Sequence, residues 1–303
     1  MDKSSVLVSI CIPTYKRGMI LEKTLESIYS QLDKSNFDKV EVIVTDNDPD
    51  HENELHISKF IEYDNFHYHK NKSKGFLNSL EALKMGKGTL LKLHNVQMLF
   101  KQQSINSILR TVEVYKTDKP TLFFSNGVLK SNSTRRLQSF DDFILALSYQ
   151  CSWSAGYSLW RKDINIISQK CLDKTFPQTS LLFALNNKAY YIIDDSYYCS
   201  MQFVKGKGGY NIFKVFGYDF LDMISTYANS DIIKIRTFEK IRKDLAVYFF
   251  PKVIFKNLIF KVERFQTKGF IKYLDRHYSR VCIFVMFVRS LTLFKIYLKD
   301  KLR

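Results

Sequence analysis

Residues 6–12 read Val-Leu-Val-Ser-Ile-Cys-Ile, a nearly unbroken apolar run closed by Pro13. Such a short apolar run fits a strand buried on both faces of a parallel sheet. Pro13 has no N–H to donate and is expected to end the ladder. The next apolar positions are Leu21, Leu25, Ile28 and Leu32, spaced four, three and four apart, which makes one helical stripe. Val40, Val42, Ile43 and Val44 then mark a second strand. Strand, helix and strand in this order predict a right-handed βαβ unit with its helix packed on the sheet. The fold class is therefore α/β. In open α/β sheets ligands sit outside the carboxyl ends of the strands, which puts Pro13, Thr14, Tyr15, Asp46 and Asp48 on one pocket rim. Ordinary turn chemistry is the alternative for the two acids, and the strands that flank them favour the rim.

Later elements are shorter. Residues 90–93 read as a strand, and residues 120–127 as a strand ending in the turn Asn126-Gly127. Ser139-Phe-Asp141-Asp142 precedes an apolar run and fits a helix start capped by Ser139. Phe176-Pro-Gln178-Thr179 fits a further helix start.

Several of these segments resemble one family. Ile-Pro-Thr-Tyr-Lys-Arg follows the first strand, and Thr-Asp-Asn-Asp-Pro-Asp stands about thirty residues on. Asn71-Lys-Ser-Lys-Gly75-Phe-Leu-Asn78 and Gly86-Lys-Gly88-Thr-Leu-Leu-Lys-Leu come next. In order and spacing these blocks resemble the family 2 glycosyltransferases of the GT-A fold. The likeness covers residues 4–130 and is weaker from there to 225. It implies a Rossmann-like mixed sheet flanked by helices and a nucleotide-sugar donor, UDP-type first. The N-terminal loop (Pro13, Thr14, Tyr15) and Asp46 would hold base and ribose, since a carboxylate accepts from base N–H and ribose hydroxyls. Asp48 and Asn78 would assist, and Tyr15 would pack on the base. Lys16 and Arg17 lie at a helix start, where phosphate oxygens are favoured.

The chain also departs from the family pattern. The resemblance implies Asp-x-Asp after the fourth strand, holding Mn²⁺ or Mg²⁺ on the diphosphate, but here His94-Asn95-Val96-Gln97 follows. Asn95 and Gln97 take the acidic positions, and neither supplies the charge that draws such cations to oxygen. His94 is a third candidate ligand, with a structural role as the alternative. Three readings stay open: weak metal binding with phosphates as the main ligands, cationic neutralisation without metal, or lost catalysis. Lys205-Gly-Lys207-Gly-Gly offers a flexible, cationic phosphate clamp, or a plain surface loop. Inverting members carry a Glu-Asp pair whose Asp is the general base, and Gln178-Thr179 stand there instead. Asp173 is the first substitute, followed by Asp141 and Asp142, whose charge a helix N-terminus also explains.

Charge adds a second theme. Of the net +16, residues 231–303 hold +12, from 18 Lys and Arg against six Asp and Glu. The same stretch is rich in Phe, Ile and Val, yet its longest apolar run, residues 281–288, is far below the roughly 20 residues that span a bilayer. Basic amphipathic helices at an anionic membrane surface fit this composition; a helical subdomain with a solvated basic face, or a homo-oligomer interface, is the alternative. The expected organisation is a catalytic domain over residues 1–225 and a basic helical region over 226–303. With the resemblance, such a tail points to bacterial O-antigen or capsule enzymes that extend a polyprenyl-diphosphate-linked glycan, with inversion. A degenerate GT-A domain that only binds nucleotide, glycan or partner is the rival. No nucleic-acid module is recognisable, so no nucleic-acid partner is expected. Cys11, Cys151, Cys171, Cys199 and Cys282 have no zinc or redox spacing. With the absence of a leader-like N-terminus, that leads to an expected cytoplasmic location, peripheral on the inner face of the membrane.

Overall fold

The computed structural model describes residues 6–50, 52–170, 172–204, 208–261 and 263–301, with side chains described up to residue 292. The chain forms two compact units, one of residues 1–143 and 150–203, the other of residues 144–149 and 204–303.

Among the described residues ten strands build the first unit. They are Val8–Thr14 (β1), Val40–Asp46 (β2), Phe66–Lys70 (β3), Leu90–Leu93 (β4) and Met98–Phe100 (β5). Thr121–Phe124 (β6), Thr134–Leu137 (β7), Ser158–Trp160 (β8), Tyr191–Asp194 (β9) and Cys199–Met201 (β10) complete them. The main sheet has the order β3-β2-β1-β4-β8, parallel except for β8. A second sheet, β6-β9-β7, is linked by an isolated bridge from Phe123 in β6 to Tyr157, the residue before β8. The result is the mixed sheet with flanking helices that the resemblance implied.

The helix Gly18–Tyr29 buries Leu21, Leu25 and Ile28 against β1 and β2, as the stripe predicts. Each such side chain contributes about 1.5–3 kcal/mol by leaving water. Leu32 lies past the helix end and is only half-buried. Pro13 does not end β1, which runs on to Thr14 with Pro13 opposite Thr45. The reason lies in the alternation of the ladder. The Cys11 carbonyl accepts from the His94 N–H on the β4 side, so the missing N–H of Pro13 also faces β4. The β1–β4 ladder has already ended there, at Cys11–Leu93.

Glu41 is buried toward the opposite end of the sheet from Thr14 and Asp46. It accepts from the Ser9 hydroxyl (2.5 Å) and the N–H groups of Gly88 (3.0 Å) and Lys87. A Cβ on Gly88 would lie 2.7 Å from the Ser9 nitrogen. Glycine is required there so that the 86–88 turn can press on β1.

The second unit is largely helical: Leu221–Asn229, Ile235–Asp244, Phe250–Ile254 and Arg280–Lys301, with π-helical turns at Val215–Phe220, Leu245–Phe249 and Phe255–Ile259. Its core centres on Phe250, which stacks on Phe213 (6.1 Å between centroids) and meets Tyr278 edge-on (5.8 Å). Gly208 and Gly209 belong to a strand, Gly208–Asn211, paired in parallel with Arg264–Gln266. The clamp lysines Lys205 and Lys207 lie outside the described residues, as does Cys171. Among the described residues no helix is long and apolar enough to cross a membrane.

Candidate functional site

The register aligns three strand ends in one row, with Thr14 opposite Asp46 and Asp46 opposite Lys70. Asn78, at the start of the helix Asn78–Met85, ties the row together. Its amide nitrogen donates to the carbonyls of Thr14 (3.1 Å) and Thr45 (2.9 Å) and to the Asn47 side chain (3.2 Å). Its amide oxygen accepts from Asn71 (2.8 Å). This one side chain therefore bridges β1, β2 and the loop after β3, which explains an Asn at that place in the motif.

Asp46 and Asp48 are both fully buried. The Asp46 carboxylate accepts from the Asp48 N–H (2.9 Å), the Asn53 amide (2.8 Å) and the Tyr68 hydroxyl (2.6 Å). Burial and that bond push the Tyr68 phenol well above its usual range. Asp48 accepts from the Asp50 N–H (3.1 Å), and Lys16 stands 3.6 Å away. The first task of both acids is to hold the 46–53 loop at the strand ends. That leaves the rim to Pro13, exposed Tyr15 and Arg17. Lys16 takes a left-handed backbone (φ 50°) and pairs with Asp50 at 2.6 Å, while no carboxylate among the described residues pairs with Arg17. Arg17 is thus the cation of this rim available to an anionic ligand. The hydroxyl of buried Thr14 has no hydrogen-bond partner.

The 94–97 turn is neutral. His94 is buried, stacked on Phe100 (4.3 Å), and donates from Nε2 to the Met98 carbonyl (2.8 Å). Burial, with Lys92 nearby, pushes its pKa down to about 3. This geometry is that of a packed structural histidine. The Asn95 amide oxygen accepts from the Ser154 hydroxyl at 2.7 Å. The Gln97 carbonyl accepts from the Gln202 N–H (2.8 Å), which stitches the turn to the segment after β10. Among the described residues no group of three His, Cys, Asp or Glu could hold a metal ion. His94, Asn95 and Gln97 therefore do not fit a resident divalent cation.

The three carboxylates considered as general base all stand beside helix starts. Asp173 accepts from the N–H groups of Thr175 and Phe176, each at 2.7 Å, and so shapes the turn into the helix Pro177–Ala184. Ser139 caps the helix Phe140–Leu147, with Asp142 N–H on its hydroxyl at 3.1 Å and that hydroxyl donating to the Asp142 carboxylate. Asp141 is buried in the same turn. Gln178 and Thr179 are buried and donate to the carbonyls of Ser152 (2.9 Å) and Cys151 (3.4 Å). A neutral, buried pair thus fills the Glu-Asp position.

Sequence reasoning assigned no role to three groups. Asn53, Asn71 and Tyr68 complete the strand-end network. Asp195 accepts from Ser125, Leu129 and Ser131; burial alone would raise its pKa, but these bonds hold it below the usual range. Lys92 is buried in β4, donating to the Ala155 carbonyl (2.8 Å) above the Phe124 ring. Its place in an apolar strand was the only signal.

Burial lowers the Lys92 pKa to about 8. The folded state therefore binds fewer protons than the unfolded chain between pH 8 and the ordinary lysine range near 10.5. Stability should rise with pH through that window, and the penalty is fully present below it. Lys92→Met is expected to stabilise by on the order of 1–3 kcal/mol at pH 7, the lost carbonyl bond offsetting part of the gain. Urea unfolding at pH 7 and pH 10 checks this; an equal gain at both would refute the charge argument.

Residues 9–90 match the family model described as "Glycosyl transferase family 2". The fold is shared with S. aureus TarS. For TarS 1–349 in complex with UDP the TM-score is 0.55 at 15% identity, covering 84% of this chain and 75% of that one. The complex with UDP-GlcNAc gives 0.54 at 14%, covering 88% and 75%. A further TarS structure gives 0.52 at 14%, and the present chain spans only 44% of its length. At such identities the likeness speaks for the fold alone. No curated protein is similar enough to be matched by sequence. Residues 9–90 are thus similar to the family 2 glycosyl transferases, and the fold around them is shared with TarS.

Proposed function

We propose that the chain transfers one sugar, with inversion, from a UDP-type donor to a polyprenyl-diphosphate-linked glycan in bacterial O-antigen or capsule synthesis. It would work in the cytoplasm, peripheral on the inner membrane face. The observation that carries this reading is the intact strand-end network of Asp46, Asp48 and Asn78 beneath an open rim of Pro13, Tyr15 and Arg17. The likeness to a TarS structure with UDP-GlcNAc supports the donor class. In this role Asp46 and Asn78 set the shape of the loops that receive base and ribose, Tyr15 offers a ring to stack on, and Arg17 offers charge to phosphate. Catalysis would then rest on positioning and on an acceptor base not supplied by the usual Glu-Asp pair.

A second reading is favoured by one set of observations. Asn95, Gln97, Gln178 and Thr179 stand where the metal-binding and general-base acids were expected; all four are neutral, and the side chains of Asn95, Gln178 and Thr179 are hydrogen-bonded, as in a domain that binds without turnover. Calorimetric titration with UDP, GDP, CDP and dTDP, followed by a hydrolysis assay on the matching nucleotide sugars, separates the two. Binding with hydrolysis or transfer supports the enzyme, and binding without either supports the binding domain. Failure to bind any nucleotide overturns both.

A further inference from the structure

The helix Arg280–Lys301 buries one face in the second unit, through Ile283, Met286 and Ser290. Among the described side chains, which end at residue 292, its other face is exposed. Val281 is 72% exposed, Phe284 68%, Leu291 52%, Val288 44% and Val285 43%. At 3.6 residues per turn these five fall on one arc of about 120°, over roughly 15 Å of helix. Arg280 and Arg289 are set at the two edges of the same arc. Single exposed apolar residues are ordinary, but a contiguous stripe marks a contact surface.

We infer that this stripe is the membrane-contact surface of the chain, laid on an anionic bilayer with Arg280 and Arg289 at the headgroup level. The charge decides the occupant. The stripe is edged by cations, Arg280 shares its charge with Asp275, and Arg289 has no acidic partner among the described residues. The surrounding residues 231–303 carry +12. An apolar face with a basic rim matches an anionic lipid surface, where side chains enter the acyl boundary and arginines meet phosphate. Among the described residues no helix is long and apolar enough to cross a membrane; this one would lie along the interface. This deepens the proposed role at a membrane and rests on that reading only for its purpose.

The test is flotation of the full chain with vesicles of phosphatidylcholine alone or mixed equally with phosphatidylglycerol, and UDP titration alongside. Binding is expected to be at least about tenfold tighter to the anionic vesicles and to weaken with salt. Phe284→Glu with Val288→Glu should reduce it at least about tenfold, while Val114→Glu, an exposed site on the first unit, should not. Because a double substitution can disturb folding, Val285→Trp supplies a second readout, a blue shift of emission on anionic vesicles. Absence of binding, binding untouched by the double variant, or a stripe-dependent dimer without vesicle binding would each overturn the inference. UDP binding that persists without vesicle binding would sink this surface and leave the transferase reading standing.

Discussion

Asp46→Ala is expected to abolish detectable UDP binding and to lower stability by about 3 kcal/mol or more, since each buried donor left unpaired costs about 1–3 kcal/mol. Three donors lose their acceptor at once: the Asp48 N–H, the Asn53 amide and the Tyr68 hydroxyl. All converge on a carboxylate with no exposed surface, so water cannot replace it without opening the loop. Asn53 in turn accepts from the Arg17 N–H at 3.0 Å, and the damage would pass from the 46–53 loop to the start of the first helix. Tyr68→Phe provides the scale. It removes one donor and leaves the carboxylate two others, so a loss near 1 kcal/mol and retained binding are expected. Urea unfolding and calorimetry on both variants settle the matter. Undiminished UDP affinity in a folded Asp46→Ala protein would remove Asp46 from the site.

The residues that could be read in advance are those whose role is set by chain neighbours. β1, β2 and the helix between them follow from local periodicity, and the rim follows from the topology of a parallel sheet. Pro13 was misread because the ladder has two sides, and which side a given N–H faces depends on where β4 ends. Asp46 and Asp48 were expected on the pocket rim and lie buried beneath it; Asp46 is held there by Asn53 and Tyr68, residues 7 and 22 positions away. No periodicity reports such partners. The acids at 141, 142 and 173 show the converse. Their helix-start geometry was legible from Ser139 and Pro177, and the structure gives Asp142 the Ser139 hydroxyl and Asp173 two local N–H groups as partners. The π-helical turns of the second unit had no sequence signal, since the aromatic residues that line them pack equally well in an α-helix. The bare stripe on Arg280–Lys301 was half legible: its apolar and basic residues were countable, but which face packs inward is a tertiary outcome.

UDP affinity of the native chain should change less than about threefold between Mn²⁺ and EDTA, under 0.7 kcal/mol. The Asn95 carboxamide accepts from Ser154, His94 is stacked and bonded to Met98, and residues 94–97 hold no carboxylate. Hard cations need oxygen ligands with charge, and neutral amides alone hold them weakly. Restoring the charge should restore the dependence. Asn95→Asp is nearly isosteric and keeps the Ser154 bond, and Gln97→Asp adds the second acid in a half-exposed turn, so the double variant should fold. It should bind UDP at least about tenfold more tightly with Mn²⁺ than with EDTA, a gain of about 1.4 kcal/mol, and should quench the free Mn²⁺ electron-resonance signal when UDP is present. If the native chain instead lost tenfold in affinity on chelation, a cation would be held here by groups other than these three. If the double variant gained no metal response, the geometry after β4 has moved away from cation binding altogether, and the diphosphate must be held by cations of the chain, with Arg17 the first to replace by Gln.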